Sequence, residues 1–288
     1  MPNKLPLISV IIPVWNEEKR IARALKCIQE QTYKNLEIIV IDDESTDNSF
    51  AVAKEISKDD PRVTVLSFPG DNEKRTNWRG YDISAGCMAR AYGFKIAKGE
   101  WITTQDADDS SLLNRIDVQY KLAKKYDATM ICVDWQQATE NAVGKKLNLE
   151  RLIEENGEDK FLIRPEVITL IPEENLGILM RLPFYHLIPF PLKWFPYTRR
   201  FFYGKGSTFI GADNCMLFSR EVIEKGVNFR RRNDRRWGVP SGRGSGRDFV
   251  MNVTHTFKNT WTLRLPFYLW DVRTPNPITP PYTDYLIS

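Results

Sequence analysis

Three carboxylates lie within four positions in the stretch TTQDADDSS, directly after the apolar run EWITTQ. They belong to Asp106, Asp108 and Asp109. Carboxylates this close repel one another, so a fold that gathers them at the end of a buried strand is expected to offer them a cation. A divalent cation held by oxygen ligands can neutralise negative charge on a substrate. The spacing therefore indicates metal-assisted chemistry.

Other interpretations of the three carboxylates remain open at this stage. Asp106 and Asp108 could belong to a solvated turn, although their position after a buried strand disfavours this. Asp109 could instead cap the helix that we expect to begin near Ser111, because Asp is a preferred N-cap residue.

The elements that position these carboxylates follow a repeating pattern in the first half of the chain. Short apolar, β-branched runs predict buried strands, and segments with helical spacing alternate with them. Right-handed crossovers would make this an α/β fold with a mostly parallel sheet flanked by helices. The predicted strands are LISVIIPV, LEIIVID, RVTVLSF, EWITTQ and ATMICVD, and the predicted helices are EEKRIARALKCIQEQ, TDNSFAVAKEIS, SAGCMARAYGFKIAK and SLLNRIDVQYKLAKKY.

Polar clusters follow three of the predicted strands. They are PVWNEE after the first strand, DDESTD after the second and QDADD after the fourth. The carboxyl ends of parallel strands form one edge of a sheet, and ligands bind in the crevice there. We therefore expect the three clusters to converge on one shared site.

The second half of the chain lacks this regular alternation. Residues 176–203 combine prolines, aromatics and cations, and the prolines exclude a regular membrane-spanning helix there. STFIGADNCMLFSREVIEKG is predicted to form a strand, a loop and a helix, and GRDFVMNVTHTFK a helix. We expect the second half to pack onto the first, so that the chain forms a single compact domain.

Composition restricts the class of protein. The 288 residues are 42% hydrophobic, enough for a buried core, and the four cysteines lie too far apart for a disulfide framework, so reduced core thiols are expected. The first ten residues lack a secretory pattern, and no long apolar stretch follows, which predicts an intact cytoplasmic chain. The arginines of residues 230–247 indicate an anionic ligand or surface, or simply a solvated basic loop, whereas no module supports nucleic-acid binding.

Taken together, VIIPVWNEE, IIVIDDESTD, AKGEWITTQDADD and a later GRD resemble the inverting glycosyltransferases of family 2, which have the GT-A fold. The resemblance covers about the first 135 residues well. It implies a nucleotide-sugar-binding region at 1–140 and an acceptor-binding region with an aromatic and proline-rich insertion at 141–288. It implies transfer of a sugar from a nucleoside diphosphate sugar, most simply a UDP-sugar, to a hydroxyl of a glycan or lipid-linked acceptor, with Mn²⁺ or Mg²⁺ as cofactor. A catalytically silent nucleotide-sugar-binding protein on the same fold is the alternative.

The resemblance also assigns roles around the donor. DAD resembles the family's D-x-D motif, which makes Asp108 the main metal ligand and Asp106 a ribose or metal contact. Asp43 would accept a hydrogen bond from an imide N–H of the base, while Asp42 would support the loop. Asn16 and Glu17 could instead cap a helix. The residues expected to line the base pocket are Pro13, Val14, Asn16 and Glu17.

The stretch SAGCMARAYG adds one cation to this donor site. It resembles a family motif at Gly86, Ala89 and Arg90, with Ala91 where Asn is usual. Arg90 would then face the base or the phosphates, and an exposed helical arginine is the alternative.

Direct displacement at the sugar needs a carboxylate base, because an acceptor hydroxyl is too weakly acidic to attack unaided. The resemblance places this base at Asp248, with Arg247 where the family often has Glu. Asp248 could instead cap a helix, and Asp213 is the competing base.

Several remaining residues have open roles. Trp237 could shield the site, and His255 could complete the metal shell, although His186 and His255 are more often structural. The aromatics of residues 184–203 could stack on sugars, pack internally, or contact a membrane peripherally.

Overall fold

The fold is taken from a computed structural model. It describes residues 5–70, 86–137, 139, 142–189, 192–193, 201–202, 210–237 and 244–271, and 282–288, with the side chain of residue 233 excepted. Some residues of the aromatic segment and of the arginine-rich segment discussed above lie outside these ranges. They are Phe190, Pro191, Trp194, Phe195, Pro196, Tyr197, Tyr203 and Arg243.

The strands of the described residues are β1 Ile8–Val14, β2 Leu36–Asp42, β3 Val63–Ser67, β4 Trp101–Thr104, β5 Ser110–Ser111, β6 Met130–Gln137, β7 Lys146–Leu147, β8 Leu162–Ile163, β9 Leu217–Ser219, β10 Thr260–Trp270 and β11 Leu286–Ile287. The α-helices are α1 Ile21–Gln29, α2 Ser49–Ser57, α3 Cys87–Ile96, α4 Arg115–Lys125, α5 Leu149–Asn156, α6 Pro165–Ile168, α7 Leu170–Glu174, α8 Glu221–Glu224 and α9 Ser245–Phe257. Short 3-10 helices lie at Glu158–Lys160, Ile178–Arg181, Tyr185–Leu187, Arg232–Asp234 and Thr283–Tyr285.

The main sheet has the order β3-β2-β1-β4-β9-β6-β10-β5, with β8 paired to β10. β1 pairs in parallel with both β2 and β4, and β6 pairs in parallel with β10. β9 runs antiparallel between β4 and β6, so these two strands point the same way. The predicted α/β fold with a mostly parallel sheet is confirmed.

The apolar run of β1 is continuous because both faces of the strand are covered. Val10 and Ile12 pack in a core with α1 residues, whereas Ile11 packs in a second core with residues of α3 and α9. β2 divides its side chains in the same way, with Val40 in the first core and Ile39 in the second. Alternate side chains of a strand point to opposite faces, so helices on both sides leave no polar face.

The second half of the chain builds part of the same sheet. β9 completes the ladder between β4 and β6, and β10 extends it beyond β6. A third core joins residues of α4 and β6 to residues of β10, as in Leu122, Ile131 and Leu265. The sheet therefore does not divide at residue 140.

Two predicted boundaries differ from the structure. Helix α4 begins at Arg115 rather than near Ser111, because Ser110 and Ser111 pair with β10 as a short strand. In STFIGADNCMLFSREVIEKG the structure places the strand β9 after the GADN loop and the helix α8 directly after this strand. Residues 207–209 of the predicted first strand lie outside the described residues.

The longest strand, β10, was absent from the prediction. Its sequence TWTLRLPFYLW contains Pro266, a residue that usually argues against a central strand. Pro266 lies at an irregularity in the register between β10 and β6, where a missing N–H can be accommodated. β10 carries Tyr268 and Trp270 to the edge of the sheet where the predicted clusters lie.

Two predictions about the chain as a whole can be compared with the described residues. Cys27, Cys87, Cys132 and Cys215 are all buried and free, which confirms the predicted reduced core thiols. Among the helices described, none is long and apolar enough to cross a membrane.

Candidate active site

A cleft of about 270 Å³ lies at the carboxyl ends of β1, β2 and β4. The three polar clusters converge there, as predicted from the strand order. From the predicted set the cleft is lined by Pro13, Val14, Glu17, Asp43, Arg90, Asp106 and Asp108, and further lining comes from Trp15, Gly86, Ala107, Asp213, Asn214, Gly244, Ser245 and Gly246.

The acid cluster after β4 brings three carboxylates together. Oxygen atoms of Asp106, Asp108 and Asp109 lie within 4.8 Å of one another. Burial, with repulsion from Asp106 and Asp108, raises the pKa of Asp109 to about 8. Gathering like charges in a partly buried site is unfavourable unless a cation compensates them. Three carboxylates are a hard-oxygen donor set of the kind that Mg²⁺ and Mn²⁺ prefer, so these residues fit a divalent cation.

Asp109 is fixed by the strand β10 rather than by a helix. Its carboxylate accepts hydrogen bonds from the Tyr268 hydroxyl at 2.5 Å and from the Asp271 amide at 2.8 Å. The alternative of a helix-capping Asp109 is therefore wrong, since α4 begins at Arg115 and has Asn114 as its N-cap. Tyr268 was missed by the sequence analysis together with its strand.

Asp106 connects the acid cluster to two other parts of the chain. Its carboxylate forms an ion pair with the buried guanidinium of Arg90 on α3. Its second oxygen accepts a hydrogen bond of 2.8 Å from the Asn214 side chain. Arg90 therefore faces the cleft, and the alternative of an exposed helical arginine is wrong.

Gly86 allows α3 to begin beside the cleft. Its φ angle is +63°, a left-handed conformation that glycine adopts without strain. A Cβ atom at Gly86 would lie 2.9 Å from the Pro13 Cβ atom and 3.2 Å from Arg90 Nη1. Any side chain here would crowd both neighbours.

The loops after β1 and β2 hold each other in place. The Asn16 carboxamide accepts a hydrogen bond of 2.8 Å from the Thr46 amide, and the Glu17 amide donates to the Ser49 hydroxyl at 2.7 Å. Glu17 lines the cleft, whereas Asn16 is not among the lining residues described. The predicted role of Asn16 in base binding is not tested by these contacts, which give it a clear loop-supporting role.

The two acids after β2 have different environments. Asp42 accepts a hydrogen bond from the Ser45 amide at 3.3 Å, in keeping with the predicted support of the loop. Asp43 is buried yet contributes to the cleft wall, and its amide donates to the Val14 carbonyl at 2.8 Å. This ladder contact places Asp43 beside the end of β1.

Asp213 reaches the cleft from the loop before β9. Burial, with repulsion from Asp106, raises the pKa of this carboxyl above its usual value, against the opposing attraction of Arg90 and Arg247. A carboxylate with a raised pKa is a better proton acceptor than an ordinary one. Asp213 therefore has both the position and the electrostatic environment of a general base.

Asp248 lies behind the cleft, on α9. It is fully buried and is not among the lining residues described. Its carboxylate accepts two hydrogen bonds from Arg230, at 2.9 and 3.0 Å, and one each from the amides of Arg236 and Trp237, at 2.8 and 2.9 Å. These contacts hold Arg230, Arg236 and Trp237 against α9, and the role of Asp248 as base stays a prediction.

Three other residues of the second half have internal partners. Trp237 is buried and donates to the Pro172 carbonyl at 2.8 Å, so it packs inside the protein and does not cover the described cleft. His255 lies 2.9 Å from a Glu173 oxygen and does not join the acid cluster. Arg247 donates to the Asn175 side chain at 2.8 Å.

A family model described as "Glycosyl transferase family 2" matches residues 9–80 and 84–227, which is most of the chain. The chain belongs to glycosyltransferase family 2. This confirms the resemblance inferred from the motifs, and the matched region contains the acid cluster, Arg90 and Asp213.

Curated bacterial relatives of this family 2 glycosyltransferase are themselves named as glycosyltransferases. Glycosyltransferase GlyG of Streptococcus pneumoniae is 36% identical over 43% of this chain and 38% of its own length. UDP-Glc:alpha-D-GlcNAc-diphosphoundecaprenol beta-1,3-glucosyltransferase WfgD of Escherichia coli is 29% identical over 59% of this chain and 66% of its own length. The match with GlyG thus spans less than half of that relative.

Solved structures of glycosyltransferases share the fold. Staphylococcus aureus TarS 1-349 in complex with UDP matches 92% of this chain and 60% of its own, with a TM-score of 0.54 and 13% identity. Mannosyltransferase PcManGT from Pyrobaculum calidifontis, in complex with GDP-Man and Mn²⁺, matches 98% of this chain and 60% of its own, with a TM-score of 0.52 and 16% identity. At these identities the similarity establishes the GT-A architecture of this glycosyltransferase.

Proposed function

We propose that this family 2 glycosyltransferase transfers a sugar, with inversion, from a UDP-sugar to a hydroxyl of a glycan or lipid-linked acceptor, and that it requires Mn²⁺ or Mg²⁺. The observation that carries the proposal is the cleft at the carboxyl ends of β1, β2 and β4, where Asp43, Arg90 and the acid cluster meet. The UDP in the TarS complex and the Mn²⁺ in the PcManGT complex support the choice of donor and metal by analogy.

The donor would occupy the cleft with its base toward β1 and β2. Pro13, Val14 and Asp43 form that end of the wall. Asp43 would accept a hydrogen bond from the uracil imide N–H, and Arg90, beside Asp106, lies where a phosphate would follow. Charge-assisted hydrogen bonds to phosphate are strong, so Arg90 would contribute to both affinity and orientation.

Asp108 and Asp106 would hold the divalent cation, with Asp109 behind them. The cation would neutralise the charge that develops on the departing diphosphate. Tyr268 and Asp271 fix the Asp109 carboxylate, which keeps the cluster together.

We further propose Asp213 as the general base. Its carboxylate would take the proton of the acceptor hydroxyl while that oxygen forms a bond to the anomeric carbon. The bond from this carbon to the diphosphate breaks, and the diphosphate leaves with the electron pair. Asp213 lines the cleft and has a raised pKa, whereas the Asp248 carboxylate is occupied by Arg230. For Asp248 to act as base, Arg230 would have to release it.

An exposed apolar patch supports a peripheral contact with a membrane, where a lipid-linked acceptor would be presented. Large apolar side chains stand exposed along α6, α7 and the segment after them, and apolar surface of this kind can mark a site of membrane contact. WfgD, whose name specifies a diphosphoundecaprenol-linked acceptor, supports this by analogy. The members of the apolar patch are Val167, Leu170, Ile178, Phe184, Leu187, Leu192 and Phe201.

A donor screen tests the proposal. The protein is incubated with Mn²⁺, an acceptor mixture and each of a set of UDP- and GDP-sugars, and release of the nucleotide is measured. We expect release from a UDP-sugar that stops in excess EDTA. Release from a GDP-sugar alone would contradict the donor assignment, and release unaffected by EDTA would contradict the metal requirement. UDP binding without turnover of any donor would favour a silent nucleotide-sugar-binding protein.

A further inference from the structure

A second cleft, of about 240 Å³, opens beside the donor cleft. Both clefts are lined by Asp213 and Asn214, so these two residues form a common wall. The second cleft is lined by Trp135, Ala212, Asp213, Asn214, Tyr268 and Trp270. A ligand in it would therefore lie next to the proposed base, on the other side from the donor.

Two tryptophans stand exposed at the mouth of this second cleft. Trp135 is 46% exposed and Trp270 is 44% exposed. Their rings meet edge to face, with centroids 5.2 Å apart and planes at 90°. They come from the carboxyl ends of the paired strands β6 and β10, which hold them rigidly. Tryptophan is largely buried on average, so a fixed, exposed pair points to a binding surface.

The polar groups of the second cleft restrict what can bind there. The Asn214 side chain donates to the Tyr268 hydroxyl at 2.9 Å, and this hydroxyl in turn donates to Asp109. An alkyl chain packed here would bury the Asp213 carboxylate and the Asn214 amide without new hydrogen bonds, which is costly. A pyranose ring suits both parts of the lining, because its C–H face can lie on an indole while its hydroxyls bond to Asn214 and Asp213.

We propose that Trp135 and Trp270 bind the terminal pyranose ring of the acceptor and direct its hydroxyl toward Asp213. The inference rests on the proposed function, since it names the substrate class that the second cleft would take. The same ring chemistry is found at the end of a lipid-linked sugar and at the end of a free oligosaccharide. Trp135 and Trp270 thereby become residues that determine acceptor specificity.

Binding experiments test this without requiring turnover. The probes are a set of methyl pyranosides of gluco, galacto, manno and N-acetylglucosamine configuration, and an N-acetylglucosamine diphosphate carrying a short polyprenyl chain. Binding to the full chain, saturated with UDP and diamagnetic Mg²⁺, is followed by saturation-transfer NMR. We expect Trp135→Ala and Trp270→Ala each to weaken probe binding by about three- to tenfold, because each variant removes one of the two rings that the sugar would contact.

A matched control is available on the same strand. Trp261 stacks on Tyr126 at 4.2 Å and contributes to neither cleft among the lining residues described. Trp261→Ala should leave probe affinity unchanged. Thermal melting of all three variants confirms that each is folded, and UDP affinity measured by calorimetry should stay within about twofold of the original protein, since the donor cleft is untouched.

Each outcome bears on one proposal. If UDP binds but none of the probes does, or if the two tryptophan variants bind the probes as well as the original protein, the acceptor inference is overturned and the donor cleft stands. If UDP itself does not bind, the proposed function is contradicted, and the acceptor inference that rests on it is overturned with it. Equal affinity for methyl pyranosides and the lipid-linked probe supports a free glycan end, and much tighter binding of the lipid-linked probe supports a lipid-linked sugar.

Discussion

Gly246, near the start of α9, lies so close to Asp213 that a Cβ atom at this position would stand 2.1 Å from the Asp213 carbonyl oxygen. The neighbouring atom is backbone and cannot swing aside, so Gly246→Ala should displace the loop that carries the proposed base. Overpacking of this kind costs about 1–3 kcal/mol. We expect a lower melting temperature and a larger loss of turnover than of UDP affinity. In Gly70→Ala the new methyl group would meet only the end of the Phe68 ring, which makes it the matched control.

Asp213→Asn should remove the proton acceptor while preserving shape. A general base contributes a factor of about 10²–10⁴, so turnover should fall by that order while donor binding persists. Asp248→Asn would instead weaken the contact with Arg230, and should chiefly lower the melting temperature. Single-turnover rates and calorimetry with UDP separate the two effects. Normal turnover in Asp213→Asn, with loss in Asp248→Asn, would make Asp248 the base.

The raised pKa of Asp213 gives a pH dependence with a definite sign. Burial and the nearby Asp106 favour the protonated form, which cannot accept a proton. As the pH decreases, the rate should therefore begin to fall at a higher pH than it would with a base aspartate of ordinary pKa. A profile of kcat/KM against pH measures this acid limb. The shift of this acid limb to higher pH should persist in Asp248→Asn. An acid limb at the pH expected for an aspartate of ordinary pKa would argue against Asp213 as the base.

Asp108→Ala should abolish Mn²⁺-dependent binding of UDP and leave the fold intact, because this acid is a half-buried surface group rather than part of a core. Calorimetric titrations of UDP with and without Mn²⁺ measure the effect. Asp59→Ala removes an exposed acid remote from the cleft and should change nothing. Full activity of Asp108→Ala, at the original Mn²⁺ concentration, would exclude the metal-binding role.

Asp43→Ala should weaken UDP binding by about 1.5–3 kcal/mol, the range for a hydrogen bond to a charged group. The comparison with Glu55→Ala is informative, because Glu55 is an exposed acid of α2 that pairs with Lys58. Calorimetry with UDP gives both affinities directly. Unchanged affinity in Asp43→Ala would remove this residue from the base pocket.

The apolar patch should bring the protein to membranes. Sedimentation with vesicles that contain anionic lipid should retain the protein at low salt and less of it at high salt, because the attraction of basic residues to such lipids is screened. Replacing Ile178 and Leu187 by Ser should reduce the sedimented fraction. Ile287 is a similarly apolar exposed residue outside the patch, so Ile287→Ser is the control. No sedimentation at any salt would contradict the membrane contact.

The sequence predicts secondary structure best for elements whose local residue pattern agrees with their tertiary environment. β1 and β2 are mostly apolar strands covered on both faces, and the polar residues that follow them converge as expected. The α4 boundary was wrong because Ser110 and Ser111 are held by pairing with a strand far along the chain.

The features that the sequence did not predict depend on contacts between residues that are far apart in the chain. The role of Tyr268 follows from a hydrogen bond to Asp109, 159 positions away. The ion pair of Asp248 with Arg230 likewise joins residues 18 positions apart, a contact that no local motif specifies. The apolar and aromatic residues of β10 were the sequence signal for this strand, but Pro266 argued against a strand there.

The antiparallel strand β9 has a consequence for how the protein folds. Its partners β4 and β6 are both made before residue 138, but the three residues that join them come only at Leu217–Ser219. Such non-local pairing is slow to form. During synthesis one edge of β4 and both edges of β6 therefore stay unpaired until β9 and β10 have been made. Unpaired edges invite pairing with other chains, so a fragment that stops near residue 140 should aggregate rather than fold.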